Sequence, residues 1–426
     1  MPAGGLIVIH WDAPDHHDRL ADERRGLLRF AAASRVPEGG FGWLDTAGRL
    51  VQRQPVATWI TARMTHVFSL ADGFDDTDTA PLADHGVAAL RERLYDHEHG
   101  GWYSSTDDAT KGAYEHAFVV LAASSATAVE RPGAEELLSR ALETVEQRFW
   151  DEHVGLARES WDRSWLETEP YRGANSNMHL VEAFLAAGDV TGEPLWHRRA
   201  LRIADTLVHH VTAAHDWRLP EHFTPDWEPV LEYNRDQPGH PFRPHGSTVG
   251  HWLEWARLLI QLEAALGVEA PGWLLDDARR LFESAVTRGW NADGHPGFVY
   301  TLDWHDRPQV SARMHWVAAE AVLTANALHQ RTGEHRYVRW YDTFWEYART
   351  HHVDTEHGSW HHELTPEGQV SSTVWSGKPD VYHAYQTALL PALPLAPAPA
   401  VLARRRRHNE DSPSDRSLGR VGHTGA

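Results

Sequence analysis

The sequence has no cysteine and no long apolar run, and each absence excludes certain kinds of site or segment. Without cysteine, the chain cannot form disulfide bonds, thiolate metal sites or a cysteine nucleophile. The apolar stretch in "GGLIVIHWDAP", near the N-terminus, is short and follows no basic segment. It is therefore neither a signal peptide nor a membrane span. These features predict a soluble, cytoplasmic protein.

Positive charge is also scarce. Lysine and arginine number 40 against 60 aspartates and glutamates, a formal net charge of −20. Such a surface repels nucleic acid and anionic membranes, so we expect neither as a partner. The exception is the arginine-rich end, "RRRRHNEDSPSDRSLGRVGHTGA", which is polar and poor in apolar residues. We expect residues 398–426 to form a disordered polar tail.

Histidine and tryptophan, in contrast, are abundant, with 31 and 20 copies. Histidine exchanges protons near neutral pH, and tryptophan offers a flat apolar face with one hydrogen-bond donor. Together they suit a polar, carbon-rich ligand such as a sugar.

A histidine near the start of an alanine-rich helical run occurs six times along the chain. The six runs are "RMTHVFSLA" (His66), "YEHAFVVLAA" (His116), "NMHLVEAFLAA" (His179), "GHWLEWARLLIQL" (His251), "RMHWVAAEAVLTANAL" (His315) and "YHAYQTALLPAL" (His383). They are too long and too rich in alanine for strands, which disfavours a two-domain α/β fold.

Each run follows a segment rich in Gly, Trp and Asp that is typical of short hairpins or extended loops. Five runs lead into a second, amphipathic helix, and "HHDRLADERRGLLRFAAAS" near the N-terminus supplies the sixth. This pattern predicts an all-α (α/α)6 barrel, with six inner and six outer helices, in one catalytic domain from residue 10 to 397. The N-termini of the inner helices, their histidines and the hairpins would gather at one end.

Four of the six histidines have a charged residue three positions away, on the same helix face. These neighbours are Arg63, Glu182, Glu254 and Asp380. A carboxylate raises the basicity of an imidazole, whereas the positive end of the helix dipole opposes its protonation. The balance favours a neutral histidine able to exchange a proton at pH 7. We expect His66 and His315 to have packing or hydrogen-bonding roles.

Four motifs resemble those of the N-acylglucosamine 2-epimerase superfamily, and most closely its D-mannose isomerase and sulfoquinovose isomerase branch. They are "TWITARMTHVFSLA", "NSNMHLVEAFLAA", "GHWLEWARLL" and "WSGKPDVYHAYQ", in the expected order between residues 10 and 395. The resemblance implies a cofactor-free, metal-free aldose–ketose isomerase acting on a monosaccharide. By motif position it implies the catalytic residues Arg63, His179, His251, Glu254 and His383, and the substrate-binding residues Trp59, Tyr114, His116, Asn175 and Trp316.

Isomerisation of mannose to fructose removes a proton from C2 and delivers one to C1. Our hypothesis is that His383 and His251 transfer these protons, while Glu254 orients His251 through its ring N–H. Arg63 would stabilise the enediolate as its charge develops, and His179 would bind a hydroxyl or assist ring opening.

Several alternatives remain open. A sulfoquinovose isomerase needs a cationic clamp, for which Lys111 and Arg172 are candidates, and a sugar 2-epimerase would use the same histidines. A glycoside hydrolase needs two facing carboxyl groups; loop candidates are Asp45, Asp162, Asp303 and Glu363. The histidine–carboxylate set could also bind a metal, although its spacing fits no short zinc motif. A non-catalytic sugar-binding barrel is the remaining reading.

Overall fold

The computed structural model describes residues 13–75 and 77–410. Its helices are α1 Pro14–Ala31, α2 Thr58–Phe74, α3 Ala80–Arg91, α4 Ala113–Ala128, α5 Ala134–Thr144, α6 Ala174–Thr191, α7 Pro194–Ala204, α8 Val249–Leu266, α9 Trp273–Gly289, α10 His315–Thr332, α11 His335–Tyr347, α12 Tyr382–Leu389 and α13 Pro399–Glu410. Helices α5, α7 and α11 each continue into a π-helical turn, at Val145–Phe149, Asp205–Thr212 and Ala348–His352.

Helices α2, α4, α6, α8, α10 and α12 pack side by side in a closed inner ring. Each of the first five inner helices also packs against the outer helix that follows it in sequence. The sixth, α12, packs against α1. Inner helices are buried on nearly all faces, whereas outer helices bury one face and expose charges on the other. The predicted (α/α)6 barrel is therefore confirmed, including closure of the ring by the N-terminal helix.

Short antiparallel strands lie at one end of the barrel. They are β1 Lys111–Gly112, β2 Trp150–Asp151, β3 Leu156–Ala157, β4 Ser160–Trp161, β5 Arg172–Gly173, β6 His222–Phe223, β7 Ser247–Thr248, β8 Thr301–Leu302, β9 Pro308–Val310, β10 Arg313–Met314 and β11 Glu363–Leu364. Strands β1, β5, β7 and β10 lead directly into inner helices, and they pair with β4, β6, β8 and β11, which lie in later loops. These pairings tie neighbouring loops together around the N-termini of the inner helices.

The chain after residue 398 differs from the disordered tail that we expected, because α13 occupies Pro399–Glu410. Ala400, Val401 and Ala403 are buried against the barrel, and Arg407 donates hydrogen bonds to Asp72 and to the carbonyl of Val129. The arginine-rich composition hid this short apolar face. The rest of the expected tail, residues 411–426, lies outside the described residues, as do residues 10–12 of the expected domain.

Across residues 13–75 and 77–410, no helix combines the length and apolar character needed to cross a bilayer.

Candidate active site

A cavity with about 660 Å³ of free space, part of it open to solvent, lies at the end of the barrel where the inner helices begin. Nine of the ten predicted site residues line it: Trp59, Arg63, Tyr114, Asn175, His179, His251, Glu254, Trp316 and His383. These residues come from all six inner helices, so the fold brings together side chains that are far apart in the sequence.

His116 is the exception, and its predicted role in substrate binding is wrong. Its Nδ1 donates to the carbonyl of Gly112 at 2.6 Å, and its Nε2 accepts from the backbone N–H of Trp102 at 3.1 Å. The ring is fully buried against Phe149 and Trp165. With both ring nitrogens already bonded, His116 fastens a loop to α4 and has no atom left for a ligand.

His383 is the second residue of α12, and a carboxylate from α10 holds it from behind. Its Nδ1 lies 3.1 Å from Oε1 of Glu320. Because a carboxylate accepts, Nδ1 carries the hydrogen and the lone pair of Nε2 is left for the cavity. Burial lowers the pKa of His383 below its ordinary value, although the Glu320 charge opposes this effect. His383 therefore stays neutral at pH 7.

His251, the third residue of α8, has a matching arrangement. Its Nδ1 lies 3.0 Å from both carboxylate oxygens of Glu221, which comes from the loop before β6. Glu221 also accepts from the backbone N–H of Thr248 at 3.1 Å, so its position is fixed. The prediction that Glu254 orients His251 is therefore wrong, because residues three apart on a helix need not contact each other through the required atoms.

Glu254 instead lies between His179 and Arg257. Its Oε1 is 3.8 Å from His179 Nδ1 and 3.5 Å from Arg257 Nη2. Burial raises the pKa of Glu254 well above its usual range, and the neighbouring charge of Glu320 raises it further. A raised pKa favours the protonated form of the carboxyl group, which can donate a hydrogen bond to an oxygen in the cavity.

Arg63 is held by two partners at the wall of the cavity. Its Nη1 lies 3.2 Å from Oδ2 of Asp380, and its Nη2 donates to the hydroxyl of Tyr114 at 2.9 Å. Its guanidinium carbon lies 4.3 Å from the ring centre of Phe118. Burial alone would lower the pKa of Arg63, but Tyr114 and Asp380 raise it above its ordinary value. Asp380 therefore pairs with Arg63 and not, as its spacing predicted, with His383.

Aromatic rings form the walls and mouth of the cavity. Trp316 lies between the two imidazoles, with ring centres 5.2 Å from His251 and 5.8 Å from His383. Phe242, from the loop between β6 and β7, contacts Trp59, Tyr114 and Trp375 edge-on. Flat apolar faces of this kind bind the C–H side of a sugar ring.

Four buried polar atoms of cavity-lining residues have no hydrogen-bond partner within the described part of the chain. They are Nε of Arg63, Oδ1 of Asn175, Nδ1 of His179 and Nε2 of His315. Buried polar groups are normally paired, so these atoms point to a polar ligand with several hydroxyl groups. His315 stacks on His362 at 3.7 Å and belongs to the site, beyond the packing role that we expected.

His66 lies two turns into α2 and faces the opposite end of the barrel. Its Nδ1 bonds to Ser125 Oγ at 2.7 Å, and it lines a second cavity. Burial lowers the pKa of His66 to about 4. The hydrogen-bonding role predicted for His66 matches this contact.

His179, Glu182 and Glu254 bring one potential metal-ligand atom each within 4.8 Å of one another. However, two guanidinium nitrogens of Arg257 lie 3.7 Å from Glu182 and 3.5 Å from Glu254. This buried cation already balances the carboxylates. The donor set is therefore a poor fit to a divalent metal, which would place two cations side by side.

The residues proposed for other activities have structural partners. Each candidate hydrolase carboxylate accepts backbone N–H groups within its own loop; they are Asp45, Asp162, Asp303 and Glu363. Lys111 is buried with Asp96 at 3.0 Å, and Arg172 bonds to the carbonyls of Glu169 and Tyr171. None of these six residues lines the cavity among the residues described.

Sequence reasoning missed both carboxylates that hold His251 and His383. Glu320 had a usable signal, since it is a charged residue within an otherwise apolar inner-helix run. Glu221 had none, because it lies in a loop 30 residues before His251. Phe242, Tyr300, His362 and Trp375 also line the cavity and come from loops without a repeating pattern.

Comparison with known proteins gives consistent results. The family described as N-acylglucosamine 2-epimerase (GlcNAc 2-epimerase) matches residues 39–387. The chain is 57% identical to a D-mannose isomerase of Thermobifida fusca, over 91% of this chain and 97% of that protein. It is 51% identical to a D-mannose isomerase of Pseudomonas cannabina pv. alisalensis, over 91% of this chain and 95% of that protein.

Among solved structures, a crystal structure of D-mannose isomerase is similar with a TM-score of 0.82 and 28% sequence identity. The match covers 89% of this chain and 98% of that one.

Proposed function

The chain belongs to the N-acylglucosamine 2-epimerase family, and we propose that it is an aldose–ketose isomerase that interconverts D-mannose and D-fructose. Two relatives that are more than half identical over nearly the whole chain carry the name D-mannose isomerase, which supports this substrate. D-lyxose, which has the same configuration at C2, is the expected secondary substrate.

The observation that carries the proposal is the pair of histidines on either side of Trp316. His251 and His383 each have Nδ1 bonded to a carboxylate, so each directs Nε2 towards the cavity. Two imidazoles, each held at Nδ1 by a carboxylate, beside one guanidinium are the groups that proton transfer between adjacent carbons requires.

In the proposed reaction, Nε2 of His383 removes the proton from C2 of the open-chain aldose. The electron pair forms the C1–C2 double bond, and the carbonyl oxygen O1 becomes an enediolate oxygen. Arg63 stabilises this negative charge as it develops, because its position is already fixed by Asp380 and Tyr114.

His251 then accepts the proton of O2 at Nε2 and passes it to O1, so the negative charge moves to O2. His383, after exchange of its proton with solvent, protonates C1 as the electron pair on O2 forms the C2 carbonyl, which completes the ketose. Asn175 and His179 bind the remaining hydroxyls through their unpartnered atoms.

Isomerisation moves protons and an electron pair within one molecule, so the proposed reaction needs no external oxidant or cofactor. We also retain as proposals a single catalytic domain at residues 10–397 and a cytoplasmic location.

Incubation with D-mannose in deuterated water, followed by NMR, tests the function. We expect D-fructose carrying deuterium at C1. Parallel incubations with glucose, sulfoquinovose, N-acetylglucosamine and cellobiose define the substrate range. Conversion of mannose mainly to glucose would instead identify a 2-epimerase, and no ketose from any hexose would overturn the proposal.

A further inference from the structure

Beneath the cavity lies a layer of buried acidic side chains around Arg257, a residue to which the proposed reaction assigns no role. Glu182, Glu254 and Glu320 come from three inner helices and surround the guanidinium of Arg257, which is 2% exposed. Arg257 Nε donates to Oε2 of Glu320 at 2.7 Å, its shortest contact in the layer. Its Nη2 lies 3.3 Å from Oε1 of the same carboxylate, so the pair is held at two points.

Glu320 connects this layer to the catalytic histidine. The Oε1 atom that faces Arg257 also lies 3.1 Å from Nδ1 of His383. The three side chains therefore form a continuous chain from Arg257 to the cavity. Arg257 itself does not line the active-site cavity.

A buried carboxylate keeps its charge only beside a compensating cation. Burial would raise the pKa of Glu320, but the positive charge of Arg257 and the hydrogen bond from His383 outweigh this and lower it. An ionised Glu320 accepts a hydrogen bond from Nδ1–H of His383, and this leaves Nε2 unprotonated. If Arg257 were neutral, the Glu320–His383 pair would take up an additional proton at neutral pH, and His383 would lose its function as a base.

His383 also has other charged or titratable neighbours. Arg63 and Asp380 face it from the cavity side, and His315 and His362 lie beside it. Arg63 and Asp380 pair with each other, and both neighbouring histidines are neutral because burial lowers their pKa. The charge on the far side of His383 is therefore set by the Arg257–Glu320 pair.

We propose that Arg257 is a positioning residue that controls the tautomer and proton occupancy of His383 through Glu320. The proposal rests on the proposed function for its catalytic meaning, but the proton state of His383 can be measured without turnover.

The direct test is ¹⁵N NMR titration of the histidine imidazoles in Arg257→Gln, with the His383 signals assigned by their loss in His383→Asn. Removal of the guanidinium charge should move the titration midpoint of His383 upward by about one pH unit or more. Glu320→Gln removes the carboxylate and should move the midpoint downward. General structural damage would not move the His383 midpoint in opposite directions in these two variants.

Turnover provides the second readout. At pH 7, Arg257→Gln should lower kcat by about 100-fold while KM changes by less than about threefold, because Arg257 does not contact the sugar. The acid limb of its pH–rate profile should move to higher pH. Arg257→Lys keeps the charge and should retain a nearly wild-type acid limb. Arg331→Gln is the matched control, since Arg331 pairs with Glu263 outside the cavity and should leave the profile unchanged.

If Arg257→Gln does not fold, the double variant Arg257→Gln/Glu320→Gln removes both buried charges and keeps the test available. Its His383 midpoint should match that of Glu320→Gln alone. An unshifted midpoint in Arg257→Gln, or a double variant that differs from Glu320→Gln, would overturn the positioning role. A wild-type protein that shows the NMR behaviour but no mannose isomerisation would refute the proposed function alone.

Discussion

At the residue scale, His383 and His251 are held by the same arrangement of contacts. Each lies in the first turn of an inner helix, and each has Nδ1 bonded to a glutamate from another part of the chain. The carboxylate fixes the tautomer and the ring orientation, as the acid residue does in a catalytic triad. His116 has the same place in its helix but both nitrogens are occupied by backbone groups. Position on the helix therefore does not decide function; the hydrogen-bond partners do.

Replacement of His383 by asparagine should lower kcat for mannose isomerisation by about 10³-fold, because the proton acceptor is lost. His116→Asn is the matched control, since it removes a buried imidazole from the first turn of another inner helix. Its folded fraction should keep the wild-type KM and kcat. The measurements are steady-state kinetics and thermal unfolding of both variants. Near-normal turnover by His383→Asn would rule out His383 as the base.

Glu221→Gln should lower kcat by about 10- to 100-fold with little change in KM, because the amide cannot hold the His251 tautomer as a carboxylate does. Glu232→Gln, in the loop that follows β6 and paired with Arg235 at the surface, serves as the control and should behave like the wild type. Steady-state kinetics of the three proteins check this expectation. Equal activity of Glu221→Gln and wild type would show that Glu221 does not orient His251.

At the scale of elements, contacts with other loops hold the segment that leads into α12. Lys378 of the "KPD" motif is fully buried, and its Nζ donates to Asp354 Oδ2 at 2.6 Å and to the carbonyl of Gly358 at 2.7 Å. Its backbone N–H donates to the carbonyl of Leu44 at 2.9 Å. The lysine of this motif therefore anchors the segment, and Asp380 and His383 take their places in the cavity as a result.

Asp354→Asn should lower the free energy of unfolding at pH 7 by about 2 kcal/mol. Burial would raise the pKa of Asp354, but Lys378 and two backbone N–H groups lower it to about 2, from an ordinary 3.8. A lowered carboxyl pKa stabilises the folded state above pH 3.8, and this contribution is lost as the pH falls towards 2.

Denaturant unfolding of wild type and Asp354→Asn at pH 7 and near pH 3 tests this pH dependence. The difference in stability should shrink at the lower pH. Glu356→Gln changes an exposed neighbouring charge and should have no measurable effect at either pH. A stability difference that is the same at both pH values would contradict the charge-based explanation.

The whole molecule is a ring with one open and one covered end. Helix α1 bridges the first and last inner helices of the ring. Its Arg24 donates to Asp75, directly after α2, at 2.8 Å and to the carbonyl of Ala388, in α12, at 2.9 Å. Helix α13 packs across α2, α4 and α6 near their C-termini. The cavity lies at the opposite end, so a change at α13 does not alter its lining.

Gly73→Ala should destabilise the protein by about 1–3 kcal/mol without changing kcat of the folded fraction. A Cβ at Gly73 would lie 2.5 Å from Cβ and 2.9 Å from Cα of Ala403, so α13 would have to move. Gly272→Ala is the matched control because its Cβ would meet no atom within 4 Å. Denaturant unfolding and kinetics of both variants check the expectation. Equal stability of the two variants would show that α13 does not pack firmly on α2.

The repeats predicted the ring because the burial of a helix depends on its local composition, which six similar runs made visible. The motifs likewise placed Arg63, His251 and His383 at one end, because parallel inner helices share the direction of their N-termini. Glu320, at a distance of 63 residues from His383, and Glu221, in an irregular loop, could not be paired with their histidines in this way. For α13, composition was misleading because four arginines outweighed a short apolar face.

The sequence by itself determined the class of fold, the end of the barrel that carries the site and half of the residues that line it. These follow from helical periodicity and from short motifs, which are local properties of the chain. Only the tertiary structure decided which carboxylate holds which histidine, that His116 is already satisfied and that Arg257 lies beneath Glu320. The physical reason is that hydrogen bonds and buried charges act over a few ångströms between side chains that are distant in sequence.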